Sequence, residues 1–485
     1  SPAGEGLSRC RRARSIPAVT VCAAVTVRVV STAEYDDVLM PYTFSIADTR
    51  FLTSGAGVDA LQAASGLRLT GATGIADLLA VRSAAGGHAA AVVETVLLRR
   101  RAVERWGEAG ADQSAGDIDW NAWLFTDEAL QQAPPPPVAA HRARRIRAHL
   151  SAGKYAGAHD VTCSVGVDLA ALTGAGMVTV GSDIDPVRLA MAAHNMATHN
   201  MATAGPAGPA GLPVRLVRAD ARAATTRALL RYAAPARRDA TGRRITSADT
   251  IPSVADLDAA DPAHLPVLRL PPGIDYQTLA RPGEIEMVSW RGTVREAVAW
   301  PPEYATVGRR ATVLSSVLGG VIGDRVIGDR VIREEFTDID PAEDAVTPAA
   351  RYLVDPDPAV VRAHLVRQYA ARRGLTLLDP HLAYLTGDAP PPGIRSFEIL
   401  DAAPYSERTV RQWARRDAIG TLEIKQRGTP IVPDDLRKRI KPQGDRRIDR
   451  TLIIARIGRH PQAFWCRAVP GDPGHTGRTA RAPGA

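Results

Sequence analysis

Cysteine is scarce in this 485-residue chain. Its four cysteines form no CxxC pair and no cysteine–histidine spacing, which excludes a disulfide framework and a structural zinc site. Long apolar runs are also missing, since none reaches the length of about 18–20 residues that a membrane helix requires. We therefore predict a protein of a reducing, cytoplasmic compartment, with neither membrane contact nor a bound metal.

The first forty residues come nearest to a targeting segment. Residues 16–27 are apolar and follow four arginines, as in the central region of a signal peptide. Against that alternative, the stretch is rich in valine and threonine and shows no clear cleavage site. We predict a disordered leader over residues 1–40.

Acidic residues are under-represented toward the C-terminus. Residues 395–459 contain 16 lysines and arginines against nine aspartates and glutamates, so they carry +7 of the chain's net charge of +8. Any basic partner surface is therefore predicted in this segment. The overall composition, 45% hydrophobic and 23% charged, is that of an ordinary globular protein and names no function.

The hydrophobic periodicity changes twice along the chain. Residues 41–152 show helical spacing of alanine and leucine, interrupted by the prolines at 134–137, and predict an N-terminal helical domain. Short buried strands then alternate with helices, which is typical of a parallel sheet. We assign this Rossmann-like α/β domain to residues 153–335.

The C-terminal part has a different pattern. We predict a helical connector over residues 336–393, a compact α+β domain over residues 394–470 and a disordered tail over residues 471–485. The segment SERTVRQWARRDAIG also resembles the entry of a helix-turn-helix. That alternative is disfavoured because predicted strands, not a second helix, flank it.

Two direct repeats interrupt the pattern, HNMATHNMAT at residues 194–203 and VIGDRVIGDR at residues 321–330. A five-residue step rotates a helix by about 500°, which would turn the second copy away from the core. Both repeats are therefore predicted to be surface insertions. For the same reason His194 and His199 are expected to be solvated and not to bind a metal.

The most informative segment is residues 160–185. A predicted strand ends in Asp160, a tight loop with Gly166 leads into a helix, and the next strand ends in Asp183. This is the geometry of a nucleoside cofactor bound across parallel strands, with Asp183 placed for ribose hydroxyls. G-x-G-x-x-G is absent, so no pyrophosphate cradle is expected. A cofactor that has a cationic amino-acid tail and no phosphate suits the acidic loop better.

These residues also have simpler interpretations. Asp160 could cap the turn that follows it. Asp183 or Asp185 could be the N-cap of the next helix. Cys163 is better explained as a small packing residue than as a nucleophile, since no basic group lies near it in sequence.

Seven ordered motifs extend this pattern: DVTCSVGVDLAAL, GSDIDPVRLAMAAHN, PPGIDY, EIEMVSWRGTVREAVAW, YLTGD, FEILD and LEIKQRG. Together they resemble the actinobacterial class I methyltransferases that carry a C-terminal THUMP-like domain. The resemblance implies S-adenosylmethionine as cofactor, with Asp160 and Gly166 in the first motif, Asp183 in the second and Asp220 near the adenine. The full candidate cofactor set is Asp160, Thr162, Cys163, Ser164, Gly166, Asp183, Ile184, Asp220 and Ala221.

The resemblance also suggests a substrate, because THUMP domains bind RNA. We predict methylation of RNA, either tRNA or rRNA, with candidate contacts at Arg237, Arg238, Arg411, Arg415, Lys425 and Arg427. The sequence departs from the family where an aspartate is expected after the fourth strand, since Ala234 stands there. The alternatives are a cofactor-binding or RNA-binding protein with impaired catalysis, and a methyltransferase that acts on protein or on a small molecule.

Overall fold

The computed structural model describes residues 42–70, 74–107, 118–150, 154–203, 214–236, 250–317, 321–322, 325–326 and 330–471. The predicted leader and nearly all of the predicted tail lie outside these residues. The first part is helical, with α1 (Ile46–Leu52), α2 (Gly55–Ser65), α3 (Gly74–Ala85), α4 (Ala89–Trp106), α5 (Asp127–Gln132) and α6 (Pro136–Leu150).

Local capping sets the ends of these helices. Ser45 and Asp48 form a capping box at the start of α1, which satisfies two backbone donors reciprocally. The proline run separates α5 from α6 as predicted, and Pro136 and Pro137 supply the first turn of α6, where a missing N–H has no consequence. The helical pattern of residues 41–152 is thus what the structure shows where it is described.

The central sheet has nine strands. In chain order they are β1 (Ala158–Asp160), β2 (Thr179–Asp183), β3 (Val214–Arg218), β4 (Leu230–Ala233), β5 (Val267–Leu270), β6 (Glu284–Trp290), β7 (Thr293–Trp300), β8 (Arg309–Val317) and β11 (Arg330–Thr337). The short strands β9 (Val321–Ile322) and β10 (Arg325–Val326) pair only with each other, at the tip between β8 and β11.

The strand order identifies the site. It is β3-β2-β1-β4-β5-β7-β6-β8-β11, and β1 pairs in parallel with both β2 and β4. The chain therefore places β2 and β3 on one side of β1 first, and then crosses over to place β4 and β5 on the other side. Such a switch point opens a crevice at the carboxyl ends of the strands, where ligands bind in open α/β sheets.

Helices cover both faces of this sheet. The helices after the first two strands are α7 (Val167–Gly174) and α8 (Pro186–Thr203), and α9 (Val254–Ala259) follows β4. Side chains of α6 and α7 pack on one face, with Tyr232 and Trp300 fully buried there. The opposite face packs against α9 and against the helices of the following segment. The predicted Rossmann-like α/β class is confirmed.

A second sheet is formed by the C-terminal part. Its strands are β12 (Tyr352–Val354), β13 (Thr376–Leu377), β14 (Leu385–Gly387), β15 (Ser396–Pro404), β16 (Ile419–Arg427), β17 (Asp445–Ile457) and β18 (His460–Val469). Its helices are α10 (Pro358–Arg362), α11 (Val366–Arg373), α12 (Glu407–Arg416) and α13 (Pro433–Ile440). A helix-turn-helix is not formed, because α12 lies directly between β15 and β16.

The predicted helical connector differs from the structure. Residues 336–393 contain α10 and α11, but also β12, β13 and β14, which join the C-terminal sheet. These strands have only two or three residues, too few for a period-2 pattern to show. The pattern did not reveal β4 for a similar reason, since LRYA is four residues long and contains a buried arginine. Only the resemblance placed a fourth strand before Ala234.

The first repeat is not a surface insertion. It continues α8, where Met191, Asn195, Met196 and His199 are all buried along one side of the helix. His194 is half-buried, and its Nε2 lies 3.0 Å from the carbonyl of Ala122. The prediction of solvated histidines was wrong because the N-terminal helical region packs on this helix. The second repeat forms the tip that contains β9 and β10, part of which lies outside the described residues.

Two kinds of feature are absent from the residues that the structure describes. No helix among them is long and apolar enough to cross a membrane. No group of three or more histidine, cysteine or acidic side chains among them could hold a metal ion. The two cysteines that lie in described ranges, Cys163 and Cys466, are free thiols in the core.

Candidate cofactor site

The loop after β1 begins with a buried carboxylate. Asp160 is only 1% exposed, and its Oδ1 accepts a hydrogen bond of 3.1 Å from the backbone N–H of Thr162. The turn-capping role considered from the sequence is therefore present. It occupies one oxygen of a buried carboxylate at the carboxyl end of β1, the strand at the switch point of the sheet.

Glycine is required where this loop enters α7. Gly166 has φ +93°, a left-handed conformation that side chains with a Cβ rarely adopt. A Cβ at this position would also lie 3.3 Å from the terminal methyl group of Met196 on α8. Glycine is thus required at residue 166 both by the backbone conformation and by packing against α8.

The acid at the end of β2 holds the loop from the other side. The two oxygens of Asp183 accept backbone hydrogen bonds, at 3.0 Å from Ser164 and at 2.9 Å from Asp185. Burial raises the pKa of Asp183. Asp185 in turn accepts from Val187 at 2.8 Å and caps α8. The capping role therefore falls to Asp185, and Asp183 is left in the site.

The residues at the ends of β2 and β3 complete this edge. Ile184 is 61% exposed although it is apolar, and Ala221 is buried. Asp220 binds the side chain of Arg222 at 2.6 Å, and this contact holds the pKa of Asp220 below its ordinary value. The exposed side chain of Ile184 suits the flat face of a purine base, and the acids at the ends of β2 and β3 suit its polar edge.

A side chain of the cofactor loop also reaches β4. Thr162 accepts a hydrogen bond of 2.7 Å at its Oγ1 from the backbone N–H of Ala234. The position that lacks the expected aspartate is therefore tied to the loop by its backbone. Arg237 and Arg238, the predicted substrate contacts that follow, lie outside the described residues.

A buried ionic cluster lies behind the loop, and the sequence did not reveal it. Arg142 on α6 forms ion pairs with Asp168 on α7 and with Glu296 on β7, and all three side chains are nearly inaccessible. Arg269 on β5 lies 3.6 Å from Asp168. Arg142 also stands over the ring of Tyr232 on β4, 5.0 Å from its centroid. The cluster thus links α6 and α7 to three strands of the sheet.

The pKa values of Asp168 and Asp160, the two acids at this cluster, are shifted in opposite directions. Burial alone would raise the pKa of Asp168, but Arg142 and Arg269 overcome this and hold it below its ordinary value. For Asp160, burial and the charge of Asp168 raise the pKa to about 8. Asp160 is therefore neutral at pH 7 until a cationic group approaches.

Two family models match the chain. One is described as THUMP domain-like and covers residues 394–468, which begins at the predicted boundary of residue 394. The other is a domain of unknown function, DUF8688, at residues 45–102, which span α1 to α4.

Two relatives in Mycobacterium tuberculosis match a larger part of the chain. An uncharacterized S-adenosylmethionine-dependent methyltransferase from strain CDC 1551 / Oshkosh is 42% identical over 396 residues, covering 80% of this chain and 99% of the relative. The same values hold for an uncharacterized methyltransferase of this type from strain H37Rv. This chain belongs to the S-adenosylmethionine-dependent methyltransferases.

The architecture of this methyltransferase also has a solved counterpart. A crystal structure of a protein assigned as a methyltransferase from Porphyromonas gingivalis W83 matches with a TM-score of 0.55. The match covers 91% of this chain and 99% of that chain at 18% identity, so it shows the shared fold. The family predicted from the seven motifs, its enzymatic class and its cofactor, S-adenosylmethionine, are confirmed.

The residues of the loop fit this cofactor. Gly166 leaves no Cβ between the loop and α8. A carboxylate at Asp183, and one formed at Asp160 when a cation approaches, would favour a cationic group over a phosphate. In the ionic cluster, the Nε of Arg269 and the Oε2 of Glu296 are buried without a partner among the described residues. A zwitterionic amino-acid tail carries groups that can satisfy such atoms.

The structure brings the predicted cofactor residues together at one edge of the sheet, although the roles of individual side chains stay predictions. Cys163 is buried, its thiol would lie 3.1 Å from a Cβ at Gly181, and burial raises its pKa well above the ordinary value. It packs the loop and is not a thiolate. Arg142, Arg269 and Glu296 were missed because they lie far from the loop in sequence. The only available signal was Asp168, two residues after Gly166.

Proposed function

We propose that this methyltransferase acts on RNA, either tRNA or rRNA, and that residues 394–470 dock it. The observation that carries the proposal is a group of exposed cations at one corner of the C-terminal domain that form no ion pair with the described residues. This group, called the basic rim below, consists of Arg415, Lys441, Arg446 and Arg447.

The basic rim is assembled by backbone contacts. The N–H of Asp445 donates to the carbonyl of Ala418 at 3.0 Å, and the N–H of Gly444 donates to Ile419 at 2.8 Å. These bonds hold the start of β17 against the end of α12. Because α12 and α13 also pack on the same face of the sheet, cations from three elements meet at one place.

Three of the other predicted contacts have internal partners. Lys425 and Arg427 both bind Asp355, at 2.9 and 2.7 Å, and Arg411 binds Glu407 at 3.2 Å. Such pairs neutralise cations locally, whereas an unpaired cation is free to replace a counterion of a phosphate. Of the predicted arginines, Arg415 is therefore the one best placed for RNA.

The cofactor supplies an electrophilic methyl group, so the chain's own residues mainly position the reactants. The loop from Asp160 to Gly166 follows β1, and Ala234 follows the neighbouring strand β4, so both lie at the carboxyl edge of the sheet. We propose direct transfer to a nucleophilic atom of the substrate without a metal. Transfer that is lost on chelation and restored by zinc or magnesium would contradict this.

We also propose a cytoplasmic location, where nascent and mature RNA is available. It is supported by the two free, buried thiols, which suit a reducing compartment.

The test uses the full chain with radiolabelled S-adenosylmethionine and separate pools of tRNA, rRNA, protein and small metabolites. We expect incorporation into one RNA pool. Binding to that RNA should weaken with salt, with a log–log slope of about 0.7–0.9 per neutralised phosphate.

A charge-reversal pair makes the test specific to the basic rim. The variant Arg446→Glu with Arg447→Glu should lose most RNA affinity, while Arg50→Glu with Arg82→Glu, exposed arginines on α1 and α3, changes the net charge equally and should bind nearly as well as wild type. Equal losses would mean nonspecific attraction. Incorporation into protein or metabolites alone would overturn the RNA proposal.

A further inference from the structure

Asn195 makes an unusual set of contacts on α8. Its side chain is fully buried. Its Oδ1 accepts a hydrogen bond of 2.8 Å from the N–H of Leu124. Its Nδ2 donates at 2.9 Å to the carbonyl of Leu124 and at 2.9 Å to the carbonyl of Val165.

One of these contacts is in the cofactor loop. Val165 directly precedes Gly166, which has a left-handed backbone conformation. Met196, the neighbour of Asn195, packs against Gly166. Two consecutive residues of α8 therefore determine where the peptide between Val165 and Gly166 lies.

The other two contacts are in the N-terminal helical region. Leu124 belongs to the segment of residues 118–126 between α4 and α5. Trp120, Trp123 and Phe125 of this segment pack on Trp106 and on one another. Arg99 on α4 holds the segment from its far side, through the carbonyls of Trp123 at 2.8 Å and Ala122 at 3.0 Å.

We propose that Asn195 is a positioning residue for cofactor binding, which fixes the carbonyl of Val165 and ties the cofactor loop to residues 118–126. An amide is required because the site presents one donor and two acceptors, and asparagine supplies both types. Aspartate would lose both donated bonds and set a carboxylate against two carbonyl oxygens. A buried polar group left unpaired in this way is strongly disfavoured.

The inference concerns the cofactor and not the RNA. It rests on the family assignment, and it stands or fails independently of the proposed substrate, because its readout is binding of S-adenosylmethionine in the absence of any acceptor.

The test compares Asn195→Asp with His194→Ala in the full chain. His194 is next to Asn195, and its Nε2 contacts the carbonyl of Ala122 in the same segment and not the cofactor loop. Calorimetric titration should give an increase of about tenfold or more in the Kd for S-adenosylmethionine in Asn195→Asp, which is the loss of one buried hydrogen bond or more. His194→Ala should lower the melting temperature and leave the Kd near that of wild type.

Hydrogen exchange provides a second readout. Amides of residues 161–166 should exchange faster in Asn195→Asp and not in His194→Ala. If Asn195→Asp does not fold, Asn195→Ser serves instead, because serine is too short to reach both Leu124 and Val165. A folded Asn195 variant with wild-type Kd and wild-type exchange in the loop, or an equal loss of affinity in His194→Ala, would overturn the proposal.

Discussion

Arginine is used in two different ways in this molecule. At the cofactor edge, Arg142 and Arg269 are almost completely buried and surrounded by carboxylates. In the C-terminal domain, arginines such as Arg415 and Arg446 are exposed and lie at the ends of secondary-structure elements. The first kind is held in one geometry, and the second kind is free to move.

The difference follows from solvation. Removing a guanidinium from water is strongly unfavourable unless carboxylates compensate it, so the buried arginines are parts of a network that fails when one member is lost. An exposed arginine is screened by water and salt, so it contributes little alone and acts with its neighbours on a charged partner. The buried set is thus suited to fixing a cofactor loop and the exposed set to holding a polyanion.

The sharpest test of this contrast is Arg142→Met. It leaves Asp168 and Glu296 as uncompensated buried carboxylates, so the free energy of unfolding should fall by about 3–5 kcal/mol. Denaturant unfolding followed by circular dichroism measures the change. The control is Arg351→Met, which removes an exposed pair with Glu398 and should leave the transition in place. Equal shifts in the two variants would refute the distinction.

The next effect concerns two acids two residues apart. Asp183→Ala should weaken binding of S-adenosylmethionine by about 1–3 kcal/mol, since charge-assisted hydrogen bonds would be lost. Asp185→Ala removes the N-cap of α8, so it should reduce stability by about 1 kcal/mol and leave affinity unchanged. Calorimetry and thermal melting separate the two outcomes. Wild-type affinity in Asp183→Ala would remove Asp183 from the site.

The stability of the cofactor edge should also depend on pH. The pKa of Asp160 is about 8 in the folded protein, above that of an unfolded aspartate, so the folded state binds the proton more tightly. Its stabilising contribution is therefore complete below about pH 4 and is lost as the pH rises toward 8, by at most about 1.4 kcal/mol per pH unit.

Asp160→Asn tests this directly. Asp168, Arg142 and Arg269 stay charged between pH 5 and pH 8. In the absence of cofactor, the unfolding free energy of the variant should therefore depend less on pH over this range than that of the wild type. A slope identical to that of wild type would assign the pH dependence to other groups.

The smallest expected effect is that of single cations in the C-terminal domain. Arg415→Met should reduce the salt slope of RNA binding by about 0.7–0.9, the contribution of one phosphate contact. Arg427→Met should not, because Arg427 is engaged by Asp355. Filter binding at several salt concentrations compares them. If only Arg427→Met reduced the slope, Arg427 and not Arg415 would be the cation that contacts a phosphate.

Much of the fold was predictable because its signals are local. The parallel strands of residues 158–183, the helices that follow them and the glycine of the loop are each encoded within a few residues. Among the missed elements, the strands of residues 352–387 are short and owe their conformation to pairing with distant strands. The burial of His199 was missed for a related reason, since it depends on which region packs on α8.

The sequence by itself determined the first strands and helices of the Rossmann-like domain, the acidic and glycine positions of the cofactor loop, the family and the basic character of the C-terminal domain. Only the tertiary structure decided which charges are buried and which are free. It placed Arg142 and Arg269 beside Asp168, gave Lys425 and Arg427 an internal partner, and put Asn195 between two backbone segments. Such contacts join residues far apart in the chain, and their strength depends on burial, which a sequence pattern does not specify.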